Sequence, residues 1–145
     1  KKKVVELKRR ARRAKAFNLE SRHIDSSKVI KKLKSSADAV LIDAPCSGLG
    51  VLRRNPDAKW KLTHDFINNI KQTQQQILQD YSKILKPGGT LVYATCSVLP
   101  SENRAQVDAF LASESGKSFK LITDKPIFTH QTGQDGFYMA KLKKE

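Results

Sequence analysis

Two short apolar runs, Ala39-Val40-Leu41-Ile42 and Thr90-Leu91-Val92-Tyr93-Ala94-Thr95, each lead into a turn that carries one of the chain's two cysteines, Cys46 and Cys96. Runs without polar alternation fit strands buried on both faces, which favours a parallel sheet over a one-sided antiparallel one. Between them Thr63 can cap a helix in which Phe66, Ile67, Ile70, Ile77, Leu78, Tyr81, Ile84 and Leu85 form the apolar face, and Lys86-Pro87-Gly88-Gly89 ends it. Strand, helix and strand in that order predict an α/β fold. Ligands of open α/β sheets bind beyond the carboxyl ends of the strands, so both thiols are delivered to the edge where they can face one substrate.

The remaining segments extend this pattern. Val4, Leu7, Ala11, Ala14 and Asn18 recur at three- and four-residue spacing among Lys and Arg, predicting an amphipathic helix over residues 2–16. Ser21 to Ile24 reads as a short strand ending at Asp25, and Ser26 or Ser27 as the cap of a helix through Lys34. Ser47 to Trp60, which holds Gly48, Gly50, Asn55 and Pro56, has no period and reads as a loop. Glu102 to Ala112 reads as a helix, and Phe119 to Ile122 and Gly136 to Leu142 as strands that form an antiparallel pair at one edge of the sheet. Residues 1–145 are expected to form part of one domain.

Charge narrows the partners. The formal net charge is +14, and the first 34 residues hold 14 of the 28 basic side chains against only three acids, Glu6, Glu20 and Asp25. A cationic surface of this kind suits a polyanion, with nucleic acid as the natural candidate; a solvated helix face is the plain alternative. No stretch reaches the roughly 18 apolar residues of a membrane span, so no membrane partner is expected and a cytoplasmic location is. Two cysteines in such a chain are expected to be reduced, with a structural disulfide as the competing reading. His23, His64 and His130 have no partners at ligand spacing, so no metal site is expected.

Asp43-Ala44-Pro45-Cys46-Ser47-Gly48-Leu49-Gly50, then Arg53-Arg54-Asn55-Pro56-Asp57 and Trp60, resemble a signature of the RNA cytosine-5 methyltransferases, in their bacterial methyltransferase B, Nop and Sun branch. A second block agrees: Lys86 to Ser97, followed by Pro100 and Glu102-Asn103, with Gln134 to Tyr138 and Ala140 to Leu142 resembling the end of that family's catalytic domain. The resemblance implies a Rossmann-like class I fold that uses S-adenosyl-L-methionine, and an RNA substrate, ribosomal RNA in the bacterial branch. It also implies an incomplete fold here. The family's Gly-rich cofactor loop and first two strands have no counterpart, and the first glycine is Gly48. The chain is therefore expected to be the carboxyl-terminal portion of a catalytic domain, to bind the methyl donor poorly and be inactive alone, and to self-associate through exposed sheet edges.

Carbon 5 of cytosine is a poor nucleophile until a thiolate adds to carbon 6, which is covalent nucleophilic catalysis. In the resembling enzymes the thiol of Thr-Cys-Ser attacks and that of Pro-Cys assists release, which assigns Cys96 to attack and Cys46 to release; bare chemistry would allow the reverse. By the same resemblance Asp43 and Asp25 would serve the cofactor, and Asp43 and Pro45 the cytosine. Strand-ending turn and helix cap are the plain alternatives for the two acids. Arg53, Arg54 and Lys59 can lower a thiol's pKa or contact RNA phosphate. Trp60 and Tyr93 lie near the thiol motifs and can hold a base, but core packing is the favoured reading for both. A non-catalytic basic RNA-binding module and a redox pair are the rival functions.

Overall fold

The computed structural model describes residues 2–24 and 26–145, so Asp25 lies outside the described residues. In chain order the elements are α1 (Lys2–Arg13), α2 (Ser27–Lys32), β1 (Ala37–Asp43), α3 (Ala58–Lys61), α4 (His64–Tyr81), β2 (Leu85–Thr95), α5 (Arg104–Ala112), β3 (Phe119–Ile127), α6 (Thr129–Thr132) and β4 (Phe137–Lys144). The sheet order is β1-β2-β4-β3. β1 and β2 are parallel with α4 between them in sequence, whereas β4 runs antiparallel to both β2 and β3. This is a partial Rossmann-like α/β sheet closed at one side by the expected antiparallel pair.

The core lies between one face of this sheet and the helices α4 and α5. Ile42, Tyr93 and Ala140 are cross-strand partners in one row, and Leu91 and Leu142 in the next. Leu78 of α4 and Val107 and Phe110 of α5 pack against them in the same cluster. Leu78, Leu85, Leu91, Val107, Phe110 and Leu142 have no exposed surface, and burying each contributes about 1.5–3 kcal/mol. Thr63 caps α4 as its sequence position suggests, accepting a hydrogen bond from Phe66 N at 3.1 Å.

Four expectations change. Ser21 to Ile24 is irregular chain, not a strand: no strand of the sheet pairs with it, and an apolar run that short has nothing else to hold it extended. β1 is not buried on both faces, because Leu41 points to the side away from α4 and α5 and is 71% exposed. Lys86 to Gly89 does not simply stop α4. The helix ends at Tyr81, a 3-10 turn follows over Ser82–Ile84, and β2 already starts at Leu85. The Ser47 to Trp60 loop contains a 3-10 turn over Leu49–Val51 and the first turn of α3. Among the described residues no helix is long and apolar enough to cross a membrane.

Candidate active site

Because β1 and β2 are parallel and in register, Asp43 opposite Ala94, their carboxyl ends release two chains side by side. Ala44 N donates to Ala94 O at 2.9 Å, extending the ladder one step beyond the strands. The loops then bring Cys46 Sγ within 3.3 Å of Cys96 Sγ. Both are free and half-buried. The next residue of each loop repeats the contact, with Ser47 Oγ 3.1 Å from Ser97 Oγ. The thiol edge expected from the sequence is thus a true pair.

A buried carboxylate locks the two loops. Glu102 is fully buried; its Oε2 accepts from Ser47 N at 2.8 Å and from Gln74 Nε2 at 3.1 Å, and its Oε1 accepts from Ser97 Oγ at 2.7 Å. Gln74, on α4, also donates to Pro45 O at 2.9 Å, so the residue before Cys46 is held as well. On the Cys96 side, Asn103 Nδ2 donates to Ser97 O at 2.9 Å and Thr95 Oγ1 bonds Asn103 Oδ1 at 2.5 Å. A buried acceptor that satisfies three neutral donors rigidifies its surroundings without needing a cation. None of Glu102, Gln74, Ser47 and Ser97 stood out as a site residue in the sequence. The signal was available in the Cys-Ser doublet repeated 50 residues apart.

Glycine supplies the second lock. Gly50 N donates to Cys96 O at 2.9 Å, and Gly136 N donates to Gly50 O at 2.8 Å, joining both thiol loops to the start of β4. The approach is so close that a Cβ on Gly50 would lie 2.0 Å from Gly136 O. Only glycine fits there.

The electrostatics differ from expectation. The Cys46 thiol is pushed up to about 12, chiefly by burial and then by its hydrogen bond with Cys96. Arg53 and Arg54 do not supply a lowering charge to it. Arg54 Nε pairs with Asp135 at 2.8 Å, and Arg53 donates to Gly133 O at 3.0 Å while lying 3.7 Å from Asp135. Both therefore brace the loop against the segment that enters β4. Lys59 instead sits over the Trp60 ring, 4.7 Å from its centroid. Trp60 itself is 79% exposed, which overturns the core-packing reading. Its four-residue helix α3 buries no side chain. Tyr93 is in the core, its hydroxyl donating to Glu102 O at 2.8 Å.

Asp43 is exposed at the end of β1 and engages no side-chain partner among the described residues. With Lys3, Glu6, Leu7 and Arg10 of α1 it lines an open groove of about 750 Å³.

Comparison with known proteins places this geometry. A family model described as 16S rRNA methyltransferase RsmB/F matches residues 1–143. The chain is 50% identical over 113 residues to ribosomal RNA small subunit methyltransferase B of Enterobacter sp. (strain 638), covering 74% of this chain and 26% of that protein. It is 45% identical over 115 residues to the protein of the same name from Shewanella oneidensis, covering 74% and 27%. The chain thus spans about a quarter of the length of these curated relatives. The crystal structure of NSun6 from Pyrococcus horikoshii with SFG superposes with a TM-score of 0.85 at 26% identity, over 99% of this chain and 39% of that one. With nearly every residue inside the family model and half of the positions aligned to the Enterobacter relative identical, the chain belongs to the 16S rRNA methyltransferase RsmB/F family.

Proposed function

We propose that this chain carries the thiol half of an S-adenosyl-L-methionine-dependent methyltransferase acting on carbon 5 of a cytosine in ribosomal RNA. The carrying observation is the 3.3 Å approach of Cys46 and Cys96 at adjacent carboxyl ends of parallel strands. In this reading Cys96 adds as the thiolate to carbon 6, and carbon 5 becomes enamine-like. S-adenosyl-L-methionine, when bound, supplies the methyl group; the likeness to NSun6 solved with its analogue SFG supports that choice. Transfer of the carbon-5 proton to water and expulsion of the Cys96 sulfur as the thiolate then restore the ring.

In the same reading Cys46, whose thiol is pushed up by burial and by its contact with Cys96, stays protonated and donates its S–H to the Cys96 sulfur as that sulfur leaves. Asp43 is assigned to the methyl donor and to the cytosine amino group, Pro45 to the base, Asp25 to the adenine side of the cofactor, and Arg53, Arg54 and Lys59 to RNA phosphates. Alone, this chain offers the donor little beyond Asp43 and the groove beside it. It is proposed to bind S-adenosyl-L-methionine weakly, to lack activity by itself, and to self-associate through the outer edge of β1, where Leu41 lies exposed.

The test is to trap the full-length protein on RNA that carries 5-fluorocytosine at the target and to map the crosslink. Attachment at Cys96 is expected; Cys96→Ala abolishes the adduct, and on unmodified RNA Cys46→Ala accumulates it. Attachment at Cys46 would reverse the roles, and no adduct would remove the mechanism.

A further inference from the structure

Trp60 is the chain's only tryptophan, and 79% exposure is unusual for a residue type that is largely buried on average. It stands on a braced arc. Gly50 fixes one end of the arc to the Cys96 loop, Arg53 and Arg54 clamp it to Gly133 and Asp135, and the Thr63 cap fixes the other end to α4. Within α3, Trp60 N donates to Asp57 O at 3.2 Å, so the backbone under the ring is set before any ligand arrives.

The surroundings of the ring select its partner. Residues 53–61 carry Arg53, Arg54, Lys59 and Lys61 against one acid, Asp57. All four cations are exposed, and Lys59 lies over the indole. An exposed aromatic plane among cations is the combination that holds single-stranded nucleic acid, stacking a base on the ring while the charges meet phosphates. The arc is also continuous with the thiols. Leu49, three residues after Cys46, and Leu99, three after Cys96, line one open groove of about 420 Å³ with Leu62 and Lys71. That groove leads from the thiol loops to the segment that follows Trp60.

We infer that Trp60, with Lys59, is a stacking platform for an unpaired nucleotide that flanks the target cytosine. The inference rests on the RNA-methyltransferase reading for what lies at the thiols, but the platform itself is read separately from them. It explains why a large apolar ring is displayed on a rigid arm: single-stranded segments are recognised by splaying bases onto aromatic faces.

Intrinsic fluorescence of this chain reports Trp60 alone. Titration with a single-stranded cytidine hexanucleotide should quench it, whereas inorganic polyphosphate, which has charge but no bases, should compete for the protein without quenching. By anisotropy of the labelled hexanucleotide, Trp60→Ala should bind about tenfold more weakly, while Trp60→Phe, which keeps a ring, stays within about threefold. Equal binding by Trp60→Ala, binding without quenching, or no RNA binding by the wild type would each overturn the platform. So would self-association that is lost in Trp60→Ala while RNA leaves the fluorescence unchanged, since the ring would then dock a second copy. Absence of the 5-fluorocytosine adduct in the full-length protein, with quenching intact, would remove the thiol mechanism and not the platform.

Discussion

Cys46 shows what burial beside a second sulfur does to a thiol. Burial and the neighbouring sulfur hold the Cys46 proton from its ordinary 9.0 up to about 12. Above the ordinary value the unfolded chain releases that proton and the folded chain keeps it, so the folded state binds more protons and stability falls as pH rises through this interval. Urea midpoints between pH 8 and 10.5 should therefore decline more steeply in the wild type than in Cys46→Ser; buried Tyr138 adds a decline common to both proteins. Glu102 gives a second prediction. Glu102→Ala strands three buried donors and should cost about 3 kcal/mol or more by urea denaturation. Glu102→Gln keeps one oxygen for Ser47 N and Gln74 and should cost only about 1 kcal/mol. The thiol pair was legible in the sequence because apolar runs show where strands end. The Glu102 anchor was not, since a glutamate after Pro100 looks the same whether it is solvated or buried. Trp60 was misread because composition puts tryptophan inside by default, and only the fold shows a one-turn helix that buries none of its side chains.

At the scale of elements, β1 and the start of α4 follow the sequence closely, because an apolar run and a real capping residue leave few alternatives, whereas α4 ends early at Tyr81 and β2 already begins at Leu85. Ser21 to Ile24 does not, since a strand exists only where another can pair with it, and pairing is not written in the run itself. β3 reaches Ile127 rather than Ile122 for the same reason: β4 offers partners all the way to Phe137. One junction sensitive to change is the main-chain contact between Gly50 and Gly136. A single methyl at Gly50 meets Gly136 O at 2.0 Å and Cys96 O at 2.8 Å, all of it backbone that cannot turn aside. Gly50→Ala should lower stability by about 1–3 kcal/mol in thermal or urea denaturation, and it should also slow capture of 5-fluorocytosine by moving the Cys96 loop. Gly88→Ala tests a different effect, because nothing lies within 4 Å of its added carbon and only its φ of 73° opposes the change.

The whole molecule is charged unevenly. Its excess of positive charge sits at the amino end, on α1 and the residues after it, while the core and the thiol edge belong to the sheet. Arg9 and Arg10 are engaged with Glu6, and Lys3, Lys8, Arg12 and Arg13 are exposed cations of α1 outside that cluster. If this helix contacts RNA phosphates, the logarithm of affinity for single-stranded RNA should fall linearly with that of salt, and Lys8→Gln/Arg12→Gln/Arg13→Gln should lessen the slope by about 2. An unchanged slope would confine the RNA surface to the arc and the thiol edge. Net charge was legible in the sequence, and so was its concentration at one end. Which side of the sheet stays open was not, because the exposure of Leu41 depends on what the chain packs against rather than on its own run of residues.

The arc between Gly50 and Thr63 is fastened at one end by main-chain bonds to the Cys96 loop and Gly136 and by the ties of Arg53 and Arg54 to Gly133 and Asp135, and at the other by a helix cap. Residues 55–61, beyond those ties, form an exchangeable cassette: replacing them by the corresponding stretch of a relative should leave the spacing of the sulfurs unchanged. Chimeras of that kind would separate the choice of RNA sequence from the chemistry performed on it.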